Sequence, residues 1–355
     1  CAIPSVFTVR IDMTPPQQQR LKLFLAYTEP EFANAYTQQL LARLERSVVV
    51  TRNTGSTVLA GPALVEAAGD CDLIVGYRST PCDAATLRSL PRLKAFIRAA
   101  VDISTVDLAE ASRLGVLVLR GTAGFHNAVA ELGMGVLVDL ARGITRHRLQ
   151  PDGGQGLAPG QGRELRGATL GFIGYGGIAC RMNALARAFG MHTMAFDPWL
   201  EKADIPLAQM EAVLSKSDFV VCLAAANERT RGLLNKRAFS LMRRGAFFVN
   251  LSRGELVDEE ALECALDAGH LAGAALDVGS APDQKPARRF VHRRDVVITQ
   301  HIGATTGEAR FSQTMDAVKQ VEALASHRLP DGAVNLAAAY RIRAWLGSLL
   351  MEAQQ

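Results

Sequence analysis

The stretch TLGFIGYGGIACRMNALARAFGMHTMAFD, residues 169–197, determines the fold class of this chain. Its apolar run Leu170–Ile173 is typical of a buried parallel strand. The turn Gly174–Ala179 has the pattern G-x-G-x-x-A and leads into a helical pattern. A second apolar run follows the helix and ends in Asp197. Strand, glycine turn, helix, strand and acid within about thirty residues indicate a dinucleotide-binding unit.

Each small residue of this turn has a physical role. Gly174 permits the tight turn, Gly176 lets a pyrophosphate approach the main chain, and Ala179 lets helix and strand pack closely. The start of the helix presents unpaired N–H groups to the phosphates. Asp197 can accept hydrogen bonds from the hydroxyls of the adenine ribose and would repel a 2′-phosphate. The predicted cofactor is therefore NAD rather than NADP.

Composition and charge exclude several classes of protein. Of the 355 residues, 48% are hydrophobic and 21% charged, which is ordinary for an α/β enzyme. The net charge of +4 is mild and scattered, so we expect no nucleic-acid partner. No apolar run reaches the length of a membrane span, so no membrane partner is expected. The six cysteines lack metal or redox spacing, which predicts no metal site and buried free thiols in a reducing, cytoplasmic environment.

Along the chain, strand and helix patterns alternate after an N-terminal arm of residues 1–20, which predicts doubly wound parallel sheets. Such sheets bind ligands at the carboxyl ends of their strands. Three of the predicted helices are long: Pro30–Arg46, His126–Arg146 and Glu308–Ser326. Residues 336–355 are predicted to form a terminal helix that packs on the core or on a second subunit.

Three charged side chains lie just past strand ends in the second half of the chain. Arg253 can bind a carboxylate through two hydrogen bonds and polarise a neighbouring carbonyl group. Asp277 ends the strand Ala274–Asp277, a position suited to the nicotinamide side of a cofactor. His301 follows the last strand, and histidine suits proton transfer near neutral pH. Each signal is weak alone, but together they lie on the ligand-binding edge of a dinucleotide-binding sheet.

The chain resembles the NAD-dependent D-2-hydroxyacid dehydrogenases over about residues 70–335. The densest resemblance is AFFVNLSRGELVDEEALECALDAGHLAGAALDVG, at Ala246–Gly279, which is close to the family pattern G-A-x-x-(I/V)-N-x-x-R-G-x-x-V-D-E-x-A-L. Further matches are LRGATLGFIGYGGIA at Leu165–Ala179, AFDP at Ala195–Pro198, VAELGMG at Val129–Gly135 and HIGA at His301–Ala304.

This resemblance implies an α/β fold with two doubly wound parallel-sheet domains. A flavodoxin-like substrate domain would comprise residues 21–125 and 302–355, and a Rossmann NAD-binding domain residues 126–301. The resemblance also implies a homodimer, an Arg253 that orients a 2-oxo acid, and a His301 that acts as acid and base. Main-chain N–H groups near Ala100–Asp102 would hold the substrate carboxylate, Gly177 and Ile178 would meet the pyrophosphate, and Leu251–Arg253 would line the nicotinamide.

The predicted site thus has three sets of residues. The catalytic set is Arg253, His301 and Asp283. The cofactor set is Gly174, Tyr175, Gly176, Gly177, Ile178, Asp197, Leu223, Ala224, Leu251, Ser252, Arg253, Asp277, His301 and Gly303. The substrate set is Arg78, Ala100, Val101 and Asp102, in which Arg78 is either a second carboxylate clamp or a surface residue.

The sequence departs from the family pattern at two places. Pro282 stands where the family has a glutamate that pairs with the histidine. Asp283 is the nearest carboxylate, and Gln284 is a neutral alternative. Asp102 brings a side chain to the carboxylate-binding turn, where it would narrow the site or repel a dianion, which disfavours phosphoglycerate as substrate. The altered glutamate position leaves a second interpretation open, that of a catalytically weak, NAD(H)-binding regulator similar to the corepressors of this fold.

Overall fold

The computed structural model describes residues 20–121, 124–148, 162–280 and 284–347. Its strands are β1 Lys22–Leu25, β2 Val49–Arg52, β3 Leu73–Gly76, β4 Ala95–Arg98, β5 Leu117–Arg120, β6 Thr169–Ile173, β7 His192–Phe196, β8 Phe219–Cys222, β9 Ala246–Asn250, β10 Leu271–Leu276 and β11 Val296–Ile298. Its α-helices are α1 Glu29–Ala35, α2 Gln38–Ser47, α3 Gly61–Ala68, α4 Ala84–Arg88, α5 Leu108–Leu114, α6 His126–Arg142, α7 Ile144–Arg148, α8 Gly177–Ala188, α9 Met210–Lys216, α10 Lys236–Leu241, α11 Glu259–Asp267, α12 Gly307–Ala325 and α13 Tyr340–Leu346. Short 3-10 turns lie at Gly254–Leu256, Arg288–Phe290 and Leu336–Ala338.

The chain divides into two compact units. Within the described residues, one is formed by 20–121 with 314–347, and the other by 124–148, 162–280 and 284–313. In this division the second boundary lies inside α12, and the domain bounds of the sequence analysis, with a change at residue 302, stay a prediction. Residues 302 and 303 stay with the second unit because their N–H groups donate to the carboxylate of Asp277 (2.8 and 2.9 Å).

In the first unit, five parallel strands form a sheet of order β2-β1-β3-β4-β5. This is the flavodoxin-like order, with a switch point between the first and third strands. Alternate strand residues face opposite layers, as pleating requires. Leu23, Val75 and Ile97 pack with α2, α12 and α13, whereas Phe24 and Ile74 pack with α3, α4 and α5. Both faces of the central strands are covered, which explains why β3 is apolar and buried along its whole length.

In the second unit, six parallel strands have the order β11-β10-β9-β8-β6-β7. Phe172 and Val249 pack with α6 and α8 on one face, and Phe248 packs with α9, α10 and α11 on the other. The strand β7 is added on one side of β6, and the next strand, β8, is added on the other side. The glycine turn after β6 therefore lies at the switch point of the sheet. The prediction of two doubly wound parallel sheets is thus confirmed.

Three predicted helices differ in the structure. Pro30–Arg46 is two helices, because Tyr36 is extended and the hydroxyl of Thr37 caps α2 by accepting the N–H of Leu40 (3.2 Å). The helix from His126 ends at Arg142, because Gly143 adopts the left-handed conformation (φ 66°). Of the terminal helix predicted for residues 336–355, the described part is a 3-10 turn followed by α13, which packs in the core of the first unit.

The cysteines agree only in part with the expectation of buried thiols. Cys71, Cys82 and Cys222 are free and buried, and burial raises the pKa of the Cys222 thiol to about 12. Cys180 and Cys264 are free but exposed. Cys1 lies outside the described residues.

Candidate functional site

The strand order of the second unit brings the predicted site segments into one row. From one edge of the sheet to the other, the segments that follow the strands are Asp197 after β7, Gly174–Gly177 after β6, Leu223–Ala224 after β8, Leu251–Arg253 after β9, Asp277 after β10 and His301 after β11. Adjacent strands are about 4.8 Å apart, so the row extends over roughly 24 Å at the carboxyl edge. Residues spread over more than a hundred positions of sequence thereby line a single edge.

The glycine turn fits a pyrophosphate group. Gly174 has φ +88°, and a Cβ atom there would lie 2.5 Å from the Cα of Ala224. Gly176, in contrast, faces open space, since a Cβ atom there would meet no atom within 4 Å. No side chain caps α8, and its first turn contains no acidic residue. The N–H groups of Gly177 and Ile178 therefore remain available for an anion.

Tyr175 takes part in this turn through its main chain, because its side chain is buried. The Tyr175 hydroxyl donates to Asp204 Oδ1 (2.7 Å) and accepts from Asn183 Nδ2 (2.8 Å). Burial and the bond to Asp204 raise the pKa of the phenol. The Tyr175 N–H donates to Asp197 Oδ2 (2.9 Å). Tyr175 thus ties the glycine turn to the acid that ends β7.

Asp197 is half-buried, and both of its oxygens accept main-chain N–H groups. Oδ1 accepts from Trp199 (3.0 Å) and Oδ2 from Tyr175. A carboxylate has about four acceptor positions, so it retains capacity for ribose hydroxyls. Beside it, Trp199 is 76% exposed, with the guanidinium of Arg229 5.8 Å from its ring centroid. The sequence interpretation missed this aromatic-cation pair, although a tryptophan directly after Asp-Pro was a usable signal.

His126, the first residue of α6, lies against the start of α8. A Cβ atom on Gly177 would be only 2.1 Å from His126 Cε1. Burial lowers the pKa of the His126 imidazole. A side chain at position 177 would therefore collide with this ring.

The turn that carries Arg253 is held by a buried amide. Asn250 Nδ2 donates to the carbonyl of Arg253 (2.9 Å), and Asn250 Oδ1 accepts the N–H of Ser252 (3.1 Å). The Ser252 hydroxyl donates to the carbonyl of Ala224. The Arg253 guanidinium is half-buried, and its one hydrogen bond within the described residues is from Nη1 to the carbonyl of Ser252 (2.8 Å). Its other N–H groups can therefore form two parallel hydrogen bonds with one carboxylate.

Asp277 holds the loop that carries His301 by hydrogen bonds from its side chain and main chain. Its buried carboxylate accepts from Thr299 Oγ1 (2.6 Å) and from the N–H groups of Ile302 (2.8 Å) and Gly303 (2.9 Å). Its carbonyl accepts the N–H of His301 (2.7 Å). His301 has φ +57°, which is rare for a residue with a side chain. The contacts of Asp277 are thus with the histidine loop, and its contact with a cofactor stays a prediction.

The loop expected to supply the acid is closed at its base. The Gly279 N–H donates to the carbonyl of Gln284 (2.8 Å), and the Gln284 N–H donates to that of Ser280 (3.1 Å). Gly254 packs directly on this base, since a Cβ atom there would lie 2.1 Å from the carbonyl carbon of Gly279. The predicted catalytic Asp283 lies outside the described residues, and so does Pro282.

In the first unit, the predicted substrate residues surround an arginine that the sequence interpretation did not select. The buried Arg98 donates from Nε to the carbonyl of Asp102 (3.1 Å) and from Nη2 to that of Arg78. The Asp102 carboxylate accepts from the N–H (3.0 Å) and hydroxyl (2.8 Å) of Ser104. The side chain of Arg78 is exposed. This exposure is compatible with either predicted role, a second carboxylate clamp or a surface residue. Ala100 and Val101 lie in the same turn as Asp102.

Comparison with known proteins assigns the family. The model for the D-isomer specific 2-hydroxyacid dehydrogenase, NAD binding domain, matches residues 134–303. A hydroxypyruvate reductase of Thermotoga maritima is 32% identical over 257 residues, 71% of this chain and 84% of that protein. A D-3-phosphoglycerate dehydrogenase of Mycobacterium leprae is 33% identical over 285 residues, 77% of this chain and 53% of that protein, so this chain spans about half of its length. A solved D-2-hydroxyisocaproate dehydrogenase has the same fold, with a TM-score of 0.78 and 20% identity over 88% of this chain and 99% of that one.

The cofactor of this domain is NAD, as the matched NAD-binding family indicates, and the open glycine turn and uncapped α8 fit it. Among the described residues, no group of three His, Cys, Asp or Glu side chains could hold a metal ion. No helix in the described part of the chain has both the length and the apolar character needed to cross a bilayer.

Proposed function

The chain belongs to the D-isomer specific 2-hydroxyacid dehydrogenase family, and we propose that it interconverts a 2-oxo acid and a D-2-hydroxy acid with NAD. The observation that carries this proposal is the placement of Arg253 and His301. They follow β9 and β11 on the same edge as the glycine turn, two strand spacings or about 10 Å apart. Arg253, a cation that can bind the substrate, and His301, which can carry a proton, thus lie at the end of the row that is opposite Asp197.

In the reduction, NAD in its reduced form supplies the hydride. Arg253 holds the carboxylate of the 2-oxo acid with its remaining N–H groups and polarises the carbonyl to be reduced. His301, as imidazolium, donates its proton to the carbonyl oxygen, and in the reverse direction it accepts that proton. Asp277 orients the imidazole by fixing the main chain on both sides of residue 301. Asn250 does the same for the turn of Arg253.

The acid that supports His301 is proposed to be Asp283, with Gln284 as the neutral alternative. What supports Asp283 is its position in a loop whose base, Gly279 and Ser280, pairs with Gln284 and contacts Gly254 beside Arg253. For the substrate carboxylate, we propose the turn of Ala100, Val101 and Asp102, with Arg78 as a further cation. The relatives' names suggest small polar acids such as hydroxypyruvate. A homodimer and a cytoplasmic location complete the proposal.

The experiment follows NADH absorbance with purified protein and a panel of 2-oxo acids, and determines the chirality of the product. His301→Gln is compared with His292→Gln, an exposed histidine of the same unit. We expect a loss of kcat of about 10²–10⁴ for H301Q, the usual contribution of a general acid, and none for H292Q. Arg253→Gln should raise KM and lower kcat, with NADH affinity unchanged by fluorescence titration in all variants. Equal kcat values for H301Q and H292Q would refute the assigned roles.

A further inference from the structure

Arg98 is a buried arginine whose hydrogen bonds all go to the main chain. It ends β4, and only 2% of it is exposed. Besides the bonds to the carbonyls of Asp102 and Arg78, Nη1 donates to the carbonyls of Tyr77 (3.0 Å) and Thr80 (2.9 Å). Within the described residues it forms no salt bridge. One side chain therefore joins two loops at the carboxyl edge of the sheet.

A buried cation is costly unless its N–H groups are satisfied. Burial lowers the pKa of the Arg98 guanidinium, yet arginine remains protonated in proteins. Four carbonyl dipoles stabilise the charge, and the Asp102 carboxylate acts on it favourably as well. The guanidinium thus places a positive charge directly behind the two loops, and a positive charge attracts anions.

The same bonds determine where the peptide N–H groups point. In a trans peptide, the N–H and C=O point in opposite directions. Because the carbonyls of residues 77, 78 and 102 face Arg98, the N–H groups of Arg78, Ser79 and Ile103 point away from it. Across the described residues, these three N–H groups and those of Ala100 and Val101 donate to no acceptor. Unpaired N–H groups backed by a cation have the character of a carboxylate-binding surface.

The loop of Arg78 is also anchored from its other side. The Ser79 hydroxyl donates to Glu31 Oε1 (2.9 Å), and the Thr80 hydroxyl donates to the carbonyl of Ala26 (3.1 Å). The loop is thus held at its outer end by side chains. Arg98 joins it to the turn of Asp102 through four hydrogen bonds, and the Thr105 hydroxyl adds a weaker bond to the carbonyl of Thr80 (3.4 Å). Removal of the guanidinium would leave only the Thr105 hydroxyl between the two loops among these contacts, while each loop stays attached to its own strand.

We propose that Arg98 is a positioning residue for the substrate carboxylate, turning the N–H groups of Arg78, Ser79 and Ile103 outward and adding positive charge behind them and the neighbouring N–H groups of Ala100 and Val101. This rests on the proposed function, since it assumes an acid as substrate. Arg98 itself makes no contact with the substrate. Its removal should therefore weaken binding of the 2-oxo acid while leaving NADH binding and the hydride step almost unchanged.

The test compares Arg98→Lys and Arg98→Gln with Arg341→Lys and Arg341→Gln. Arg341 is a matched control, because its Nη1 also donates to two carbonyls of the same unit, those of Leu90 and Leu93 (both 3.1 Å), at the start of β4. For both Arg98 variants we expect the KM for the 2-oxo acid to rise at least tenfold, kcat to fall less than threefold, and the KM for NADH to stay within twofold. For the Arg341 variants, the KM for the 2-oxo acid, kcat and the KM for NADH should all stay within twofold of the wild-type values. A 2-oxo acid KM for R98K and R98Q equal to that of the Arg341 variants would overturn the proposal.

A second measurement uses the wild-type protein, in case the Arg98 variants do not fold. Hydrogen exchange with and without oxalate, in the presence of NADH, reports on the N–H groups directly. We expect oxalate to slow exchange at residues 78–79 and 100–103 and not at 90–93. No slowing there would overturn the proposal, even if the protein reduces 2-oxo acids. If oxalate protects these residues and no 2-oxo acid is reduced, the proposed function fails while the carboxylate site stands.

Discussion

Thr299→Val tests whether the loop around His301 is held in a conformation that it would not adopt alone. The Thr299 hydroxyl donates to the buried carboxylate of Asp277 (2.6 Å), which also holds the two N–H groups after His301. Valine has nearly the same shape but no donor. A hydrogen bond to a charged group contributes about 1.5–3 kcal/mol, and we expect the unfolding free energy to fall by about 2 kcal/mol.

This loss is comparable to the strain that the loop stores. A non-glycine residue in the left-handed region costs about 1–2 kcal/mol, and His301 has φ +57°. With one of the three hydrogen bonds to the Asp277 carboxylate removed, the strained loop conformation loses most of its free-energy advantage over relaxed loop conformations. A change of one to two kcal/mol alters a population by a factor of about 5–30. We therefore expect kcat to fall by about that factor.

The matched control is Thr145→Val. Thr145 also donates its hydroxyl to an aspartate, Asp139, in the same unit, but it follows α6 and is not among the site residues. The assay is kcat with the preferred 2-oxo acid, together with the midpoint of thermal unfolding. Both variants should lose about 4–8 °C, and only T299V should lose activity. Similar kcat values for the two variants, with similar losses of stability, would refute the reasoning.

Two further predictions concern the glycine turn and acid stability. Gly176→Ala should fold like the wild type, since its Cβ meets no atom within 4 Å, but should raise the Kd for NADH at least about tenfold by occupying the space of the pyrophosphate. Gly174→Ala should instead lose stability, because of its φ of +88° and the contact of its Cβ with Ala224. A fluorescence titration in which G176A binds NADH as tightly as the wild type would contradict the prediction for Gly176. Hydrogen bonds from Arg113 and then Arg88 lower the pKa of Glu110 from 4.5 to about 2. The stability from this depressed pKa is therefore present above pH 4.5 and is lost as the pH falls towards 2. Urea midpoints at several pH values should fall less steeply for Glu110→Gln than for the wild type, and equal slopes would count against the ion pairs.

Two of the strongest structural predictions depended on local patterns. The strand, glycine turn, helix and acid of residues 169–197 are read from apolar runs and small residues, and β6, α8 and β7 occur as expected. The alternation of strands and helices also predicted two parallel sheets, because right-handed crossovers leave few arrangements for such a chain. The split of Pro30–Arg46 was missed, since helical periodicity continues through the extended Tyr36, whose ring packs against Tyr27 at 5.2 Å.

The sequence by itself determined where main-chain turns, strand ends and the charged residues beyond them would lie. Only the tertiary structure decided what each buried polar group contacts. Arg98 meets carbonyls about twenty residues away in sequence, His126 meets Gly177, and Asp277 faces the loop of His301. Periodicity and turn chemistry depend on neighbours within a few residues, whereas a buried donor or acceptor must find its partner among whatever groups folding brings near. That choice is made by packing, and no local pattern encodes it.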